Sequence, residues 1–211
     1  MNGRVVFISA TGTGVGKTYA ACALIACYAK LGLKVAPFKP IETGVIDLPS
    51  DAKALQETAR AFAVEFDLET ICPVRFRLPA APAVARGDKP IDWDAIDAAF
   101  ERLRKASDLV MIEGAGGALA PIDDRLFSVD LAKRYDAKTL LIAPDRLGMI
   151  HDLLTTLEAV EKRLDILPLW AINARDLAEF ELIAAPYLTR RFAKVYRLDR
   201  DVTALADLLI A

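Results

Sequence analysis

The chain has 211 residues, of which 54% are hydrophobic and 27% charged, with a formal net charge of −2 at pH 7. This composition supplies a buried core and excludes an intrinsically disordered chain. The slight negative charge argues against a nucleic-acid-binding protein, which usually carries a basic surface. Three cysteines without metal-ligand spacing and a single histidine argue against a zinc site. The length favours one large domain over residues 1–211.

Neither an export signal nor a membrane span is predicted. The first apolar run, residues 5–8, is too short for a signal and leads directly into glycines. No stretch approaches the roughly 18 to 20 apolar residues that span a bilayer. The odd set Cys22, Cys27 and Cys72 fits a reducing compartment. We therefore expect a soluble, cytoplasmic protein.

Short β-branched apolar runs alternate along the chain with longer segments of helical period, which predicts an α/β fold of three layers with a mostly parallel sheet. Strands are predicted at residues 4–9, 34–38, 109–112, 139–143, 168–173 and 194–198. Helices are predicted at residues 17–31, about 50–63, 93–106, 150–164, 177–190 and 202–210. Ser50 or Asp51 is predicted to cap the second helix. Four prolines between residues 72 and 92 predict a surface loop.

A glycine-rich segment, residues 9–18, follows the first predicted strand and ends in Gly-Lys-Thr at the start of the first predicted helix. Glycines allow successive N–H groups to face phosphate oxygens, and the helix N-terminus adds its positive end. In such a phosphate loop Lys17 reaches the β- and γ-phosphates of a nucleotide, and the Thr18 hydroxyl binds Mg²⁺. The usual spacing has glycine where this chain has Thr11. The context nevertheless favours a phosphate-loop nucleotide site over a plain turn, and the glycine spacing does not fit a dinucleotide-binding fingerprint.

Polar residues at other strand ends extend this site, because ligands of an open parallel sheet lie beyond the carboxyl ends of its strands. Lys39 closes the second strand and is expected to face the site rather than solvent. Glu113 closes a fully apolar strand, where related enzymes place an acid that holds or orients the metal. Asp51 is either a helix cap or a carboxylate near Mg²⁺.

Two further polar residues keep alternative interpretations. Asn173 ends another predicted strand, so its amide can read a base edge or cap the next helix. His151 lies near a predicted helix N-terminus, where a lone histidine is more often a surface residue than a contact of the site.

Taken together, these motifs resemble dethiobiotin synthetases over about residues 4–173. The elements that carry the resemblance are Val15-Gly16-Lys17-Thr18, Lys39-Pro40-Ile41-Glu42-Thr43-Gly44, Ser50-Asp51-Ala52, Glu113-Gly114-Ala115-Gly116-Gly117 and Leu147-Gly148-Met149-Ile150. Their order and spacing are more specific than any one of them, and the Lys-Pro-Ile-Glu-Thr-Gly form is similar to a subgroup of these enzymes.

The resemblance implies a reaction with 7,8-diaminononanoate, CO₂ and ATP, in which a carbamate on one amine becomes a carbamic-phosphoric anhydride that the second amine closes to a cyclic urea. It implies that Lys17 and Lys39 are the catalytic cations. The implied Mg²⁺ ligands are Thr18, Asp51 and Glu113. The implied ATP-binding residues are Thr13, Gly14, Val15, Gly16, Lys17, Thr18, Asp51, Glu113, Gly114, Ala115, Gly116 and Asn173.

The same resemblance implies that Thr43 contacts the substrate and that Gly148, Met149 and Ile150 of a second subunit bind its carboxylate. A homodimer is therefore expected. A helix N-terminus is a physically suitable place for that anion.

This chain departs from many members of the family at two places. Many begin the phosphate loop Gly-Thr-Asp-Thr, whereas residues 10–13 here are Ala-Thr-Gly-Thr, so an acidic side chain is missing. Residues 196–201 also lack a proline-containing stretch that helps to hold the base, which leaves the choice among ATP, CTP and GTP open.

Two other functions of the same superfamily remain as alternatives. A partition-type switch ATPase would carry an extra lysine five residues before Lys17, where this chain has Gly12. A small-molecule kinase would carry an arginine-rich lid, but Arg125, Arg134 and Arg146 are scattered.

Overall fold

A computed structural model describes residues 4–211 of the chain. The principal sheet has six strands, all parallel, in the order β2-β5-β1-β6-β7-β8. A second, two-stranded parallel sheet pairs β3 with β4. The predicted parallel α/β architecture is confirmed.

The bounds of the elements follow in chain order. The strands are β1 (Arg4–Ala10), β2 (Val35–Phe38), β3 (Ile41–Thr43), β4 (Val74–Phe76), β5 (Leu109–Glu113), β6 (Lys138–Pro144), β7 (Leu169–Asn173) and β8 (Tyr196–Arg197). The helices are α1 (Lys17–Lys30), α2 (Ser50–Arg60), α3 (Leu68–Ile71), α4 (Pro82–Ala85), α5 (Trp93–Lys105), α6 (Asp130–Arg134), α7 (Met149–Leu164), α8 (Leu177–Ile183), α9 (Ala185–Arg191) and α10 (Val202–Ile210).

Side chains of each central strand alternate between two apolar layers, because successive residues of a strand point to opposite faces. In β1, Val6 and Ile8 pack on one face with α1, α2 and α10, whereas Val5 and Phe7 pack on the other with α5 to α9. Both faces are covered, so the central residues of these strands are apolar on both sides, as is usual for parallel sheets. The result is the three-layer arrangement expected from the sequence.

Three predictions of local structure are corrected. The proline-rich stretch 72–92 is not simply a loop, because it contains β4 and α4, and Pro82 lies in the first turn of α4, where its missing N–H costs nothing. The predicted helix 177–190 is two helices, α8 and α9, because Pro186 cannot continue the first one. Neither Ser50 nor Asp51 caps α2, which begins at Ser50 after Pro49.

The strand order places the carboxyl ends of β1, β5 and β2 side by side. The connection from β1 leads to β2 on one side of the sheet, whereas the connection from β5 leads to β6 on the other side of β1. The connections therefore change direction beside β1. Such a switch point opens a crevice beyond the strand ends. The phosphate loop follows β1, Lys39 follows β2 and Glu113 ends β5.

No helix within residues 4–211 is long and apolar enough to cross a bilayer.

Candidate active site

A cleft of about 340 Å³ opens where the phosphate loop, β3, the start of α2 and the end of β5 meet. Most of the sequence-predicted site residues line it, namely Thr13, Gly14, Gly16, Lys17, Thr18, Lys39, Thr43, Asp51, Glu113, Ala115 and Gly116. Residues 148–150 are not among the described residues that line it. His151 is exposed on α7.

The phosphate loop takes a conformation that only glycine accepts at Gly16. Its φ is +106°, and an added Cβ would lie 2.1 Å from Nδ2 of Asn173. The amide of Asn173 is buried and donates from Nδ2 to the carbonyl of Val15 over 2.9 Å. Asn173 therefore supports the loop from behind. It does not cap the next helix, because Asp176 caps α8.

Lys39 is a buried ammonium whose three hydrogen-bond donors are all engaged. Its Nζ lies 2.5 Å from Oε1 of Glu113, 3.0 Å from Oδ2 of Asp51 and 3.2 Å from the carbonyl oxygen of Gly114. Burial opposes its charge, but the two carboxylates and their hydrogen bonds outweigh that effect and hold the pKa of Lys39 above its ordinary value. Lys39 stays charged at every physiological pH.

The two carboxylates differ in their surroundings. Glu113 is fully buried, and that burial raises its pKa although Lys39 opposes the rise. Burial also disfavours the charge on Asp51, but the charge and hydrogen bond of Lys39 outweigh it and hold the pKa of Asp51 below its usual range. The Asp51 side chain is 41% exposed. The acid nearest solvent is therefore the one that ionises more readily.

Lys17 begins α1 at the other side of the cleft, and its Nζ lies 3.4 Å from the carbonyl oxygen of Gly12. Burial and, next, the positive charge of Lys39 lower the pKa of Lys17, while the charges of Glu113 and Asp51 raise it, and the resulting pKa is about 8. An anion in the cleft would raise this pKa again. A polyphosphate in the cleft would therefore stabilise the charged form of Lys17.

The residues present fit a Mg²⁺ ion. Oε2 of Glu113 is buried without a hydrogen-bond partner among residues 4–211, and Thr18 Oγ1 donates to Oε1 of the same carboxylate over 3.0 Å. Within that part of the chain no cluster of three or more His, Cys, Asp or Glu side chains forms a closed metal cage. Mg²⁺ is commonly held by one or two carboxylates together with phosphate and water oxygens. This donor set suits a cation that arrives with a nucleotide.

Three residues that line the cleft, Ile41, Glu42 and Arg175, were not among the site residues predicted from the sequence. Arg175 reaches from the loop after β7 and donates from Nη2 to the carbonyl of Gly14 over 2.8 Å. Its backbone N–H donates to the buried Asp145, which fixes this loop. Arg175 lies two positions beyond the end of β7, so the strand-end rule could have found it. Ile41 and Glu42 lie between Lys39 and Thr43 in the sequence.

Comparison with known proteins identifies the family. A family model described as an AAA domain matches residues 4–185. The ATP-dependent dethiobiotin synthetase BioD of Sulfurovum sp. (strain NBC37-1) is 39% identical over 186 residues, which cover 86% of this chain and 88% of that protein. The protein of the same name from Wolinella succinogenes is 36% identical over 216 residues and covers 99% of both chains.

Solved structures support the fold alone. A plasmid partition protein from Borrelia burgdorferi superposes with a TM-score of 0.55 and 11% identity over 100% of this chain and 97% of that chain. A second partition protein from the same organism has a TM-score of 0.53 and 12% identity over 100% of both chains. The curated relatives cover nearly the whole sequence at more than 30% identity. The chain therefore belongs to the family of ATP-dependent dethiobiotin synthetases.

Proposed function

We propose that this protein closes the cyclic urea of dethiobiotin from 7,8-diaminononanoate, CO₂ and ATP. The observation that supports this best is the meeting of two ammonium groups, those of Lys17 and Lys39, at a single cleft beside the phosphate loop. Enzymes that transfer a phosphoryl group act chiefly by positioning and by neutralising charge. The names of the relatives supply ATP and the product, dethiobiotin.

The reaction proceeds in three steps. One amine of the diamine adds to CO₂ and loses a proton to give a carbamate. A carbamate oxygen then bonds to the γ-phosphorus of ATP, the bond from that phosphorus to ADP breaks, and a carbamic-phosphoric anhydride results. Finally the second amine attacks the carbonyl carbon, the carbon–oxygen bond to phosphate breaks, and the ring closes with loss of a proton and phosphate.

The chain's own residues bind the substrates and act at the second step. Lys17 and Lys39 stabilise the negative charge on the phosphoryl oxygens while the phosphoryl group is transferred from ADP to the carbamate. The N–H groups of the phosphate loop and the N-terminus of α1 hold the β- and γ-phosphates. We assign Thr43, which lines the cleft beside Lys39, to the diamine.

Thr18, Asp51 and Glu113 are the residues that we expect to hold Mg²⁺. When bound, the ion neutralises charge on the phosphate oxygens. The unpartnered Oε2 of Glu113 and the half-exposed Asp51 support this assignment.

Phosphate release from ATP tests the proposal. We expect release that depends on both diaminononanoate and bicarbonate, with dethiobiotin detected by mass spectrometry in equal amount. Release that needs neither compound and is stimulated by DNA or lipid would instead identify a partition-type switch ATPase. Phosphate transferred to a small-molecule acceptor without ring closure would identify a kinase. The glycine at position 12, where a switch ATPase carries lysine, favours the synthetase.

We also propose that the enzyme is a cytoplasmic homodimer of single-domain subunits. In this arrangement residues 148–150 of one subunit bind the carboxylate of a diamine held at the other subunit's cleft. The positive φ of +88° at Gly148 and the N-terminus of α7 that follows it suit an anion. Light scattering should give a mass of two chains, and a monomer with full activity would contradict the proposal.

A further inference from the structure

Glu42 is a buried carboxylate that joins β3 to the start of α2. It is 5% exposed. Its Oε1 accepts from the backbone N–H of Asp51 over 3.0 Å and from Oγ of Ser50 over 3.3 Å, and its Oε2 accepts from the N–H of Ala52 over 2.9 Å. Both oxygens are thus committed to the first turn of one helix.

This helix depends on an acceptor from elsewhere in the chain. The first N–H groups of any α-helix have no partner within the helix and are usually satisfied by a side chain at the N-cap. Here the N-cap is Pro49, whose side chain has no acceptor. Glu42 supplies two acceptor oxygens, and its negative charge lies at the positive end of the helix. Glu42 therefore caps α2 from β3.

The position of Asp51 follows from this contact. Asp51 lies in the first turn of α2, and its carboxylate reaches Lys39 over 3.0 Å. Glu42 is on the segment that carries Lys39, and this segment is itself fixed because the N–H of Lys39 donates to Ile71 and β3 pairs with β4. The Glu42 side chain therefore ties the helix that carries Asp51 to the segment, between β2 and β3, that carries Lys39.

We propose that Glu42 is a positioning residue that holds the Asp51 carboxylate where it can serve a divalent cation beside Glu113. This inference rests on the metal ligands assigned in the proposed function. We assign Glu42 no direct contact with metal or substrate, because both of its oxygens accept hydrogen bonds from the first turn of α2. Groups that orient metal ligands in this way typically contribute tenfold to a hundredfold to metal affinity.

The test is the dependence of ADP affinity on MgCl₂, measured by calorimetry in the Glu42→Gln variant. Glutamine presents one acceptor oxygen and an amide donor, so one of the two N–H groups faces a donor. We expect the Mg²⁺ concentration that gives half of the maximal gain in ADP affinity to rise by about tenfold. ADP affinity without Mg²⁺ should stay unchanged. An unchanged Mg²⁺ dependence would overturn the inference.

A matched control separates positioning from general loss of a helix cap. Asp92 caps α5 by accepting from the N–H of Ala95 over 2.9 Å, and neither residue lines the cleft. Asp92→Asn therefore weakens a comparable cap at another helix. We expect it to leave the Mg²⁺ dependence of ADP binding unchanged. An equal shift in both variants would mean that the effect comes from lower stability and would overturn the inference.

Two further variants complete the test. Asp51→Asn should raise the Mg²⁺ requirement. If it does not, the metal assignment itself fails; if it does while Glu42→Gln has no effect, only the role of Glu42 fails. Adding Pro49→Asp to Glu42→Gln gives α2 a cap of its own, which should restore thermal stability without restoring Mg²⁺ affinity. Recovery of both thermal stability and Mg²⁺ affinity would mean that Glu42 acts only as a helix cap, and it would overturn the inference.

Discussion

The ammonium of Lys39 lies 2.5 Å from the carboxylate of Glu113, and neither side chain reaches solvent appreciably. Because each buried charge compensates the other, removal of one partner leaves an uncompensated charge, which typically costs about 3 to 5 kcal/mol. A variant of Lys39 therefore changes the stability of the protein as well as its chemistry, and the two effects must be measured separately.

Lys39→Met should abolish urea formation, because it removes positive charge that is needed as the phosphoryl group transfers. It should also lower the free energy of unfolding by about 3 to 5 kcal/mol. The double variant Lys39→Met/Glu113→Gln makes the pair neutral, and we expect it to recover most of the stability but none of the turnover. Denaturant unfolding and dethiobiotin formation are the two measurements. Turnover near that of the unaltered enzyme would remove Lys39 from the mechanism.

Glu113→Gln should raise the Mg²⁺ concentration required for turnover by about tenfold or more. Glutamine keeps the shape of the side chain and one acceptor for Thr18, but loses the negative charge that we assign to the metal. Glu57→Gln on the exposed face of α2 is the matched control. A Mg²⁺ titration that is identical for both variants would exclude Glu113 as a ligand.

The lowered pKa of Lys17, about 8, predicts proton uptake when a nucleotide binds. In the free protein Lys17 loses its proton near pH 8, whereas a bound triphosphate favours the charged form. Affinity for nucleotide should therefore fall as pH rises above 8, and calorimetry at pH 8 in buffers of different ionisation enthalpy should detect the uptake. Lys17→Arg keeps its charge at this pH, so uptake should disappear.

The same shift predicts how folding stability depends on pH. In the unfolded chain the pKa of Lys17 has its ordinary value of 10.5. Between pH 8 and 10.5 the unfolded state therefore binds more protons than the folded state. The contribution of Lys17 to the free energy of unfolding should rise with pH through this window. Comparing the pH dependence of unfolding in the unaltered protein and in Lys17→Met isolates this contribution.

Gly16→Ala should destroy nucleotide binding. The new Cβ would lie 2.1 Å from Asn173 Nδ2, and a φ of +106° is strained for any L-residue. Gly12→Ala is the matched control in the same loop, since no described atom lies within 4 Å of a Cβ there. We expect ATP affinity in Gly12→Ala to stay within about threefold of the unaltered value. Equal losses in the two variants would contradict the role given to the Gly16 contact.

The sequence predicted the strands and helices of the principal sheet because their apolar periods are long and regular. It missed β3 because three residues are too few to show a period, and the pairing of β3 with β4 joins segments separated by two helices, α2 and α3. The strand-end rule, the analogy with phosphate-loop enzymes and the family resemblance together predicted that Lys39, Asp51 and Glu113 belong to one site.

Glu42 escaped sequence analysis because its role depends on which helix start lies against it. A signal was nevertheless present, since Pro49 ahead of α2 offers no side-chain acceptor and some other residue must provide one. The contact of Asn173 with the phosphate loop had no such signal. It depends on the close approach of β7 and Gly16, which the sheet order alone determines.

The central place of β1 also has a consequence for biosynthesis. Both neighbours of β1 in the sheet, β5 and β6, lie about a hundred residues or more further along the chain. A growing polypeptide therefore carries its phosphate-binding motif on an unpaired strand until more than half of the chain has been made, and such distant pairings form slowly. Fragments that contain the complete motif but end before β6 should bind no nucleotide, because the loop acquires its shape only after β1 has paired with both β5 and β6.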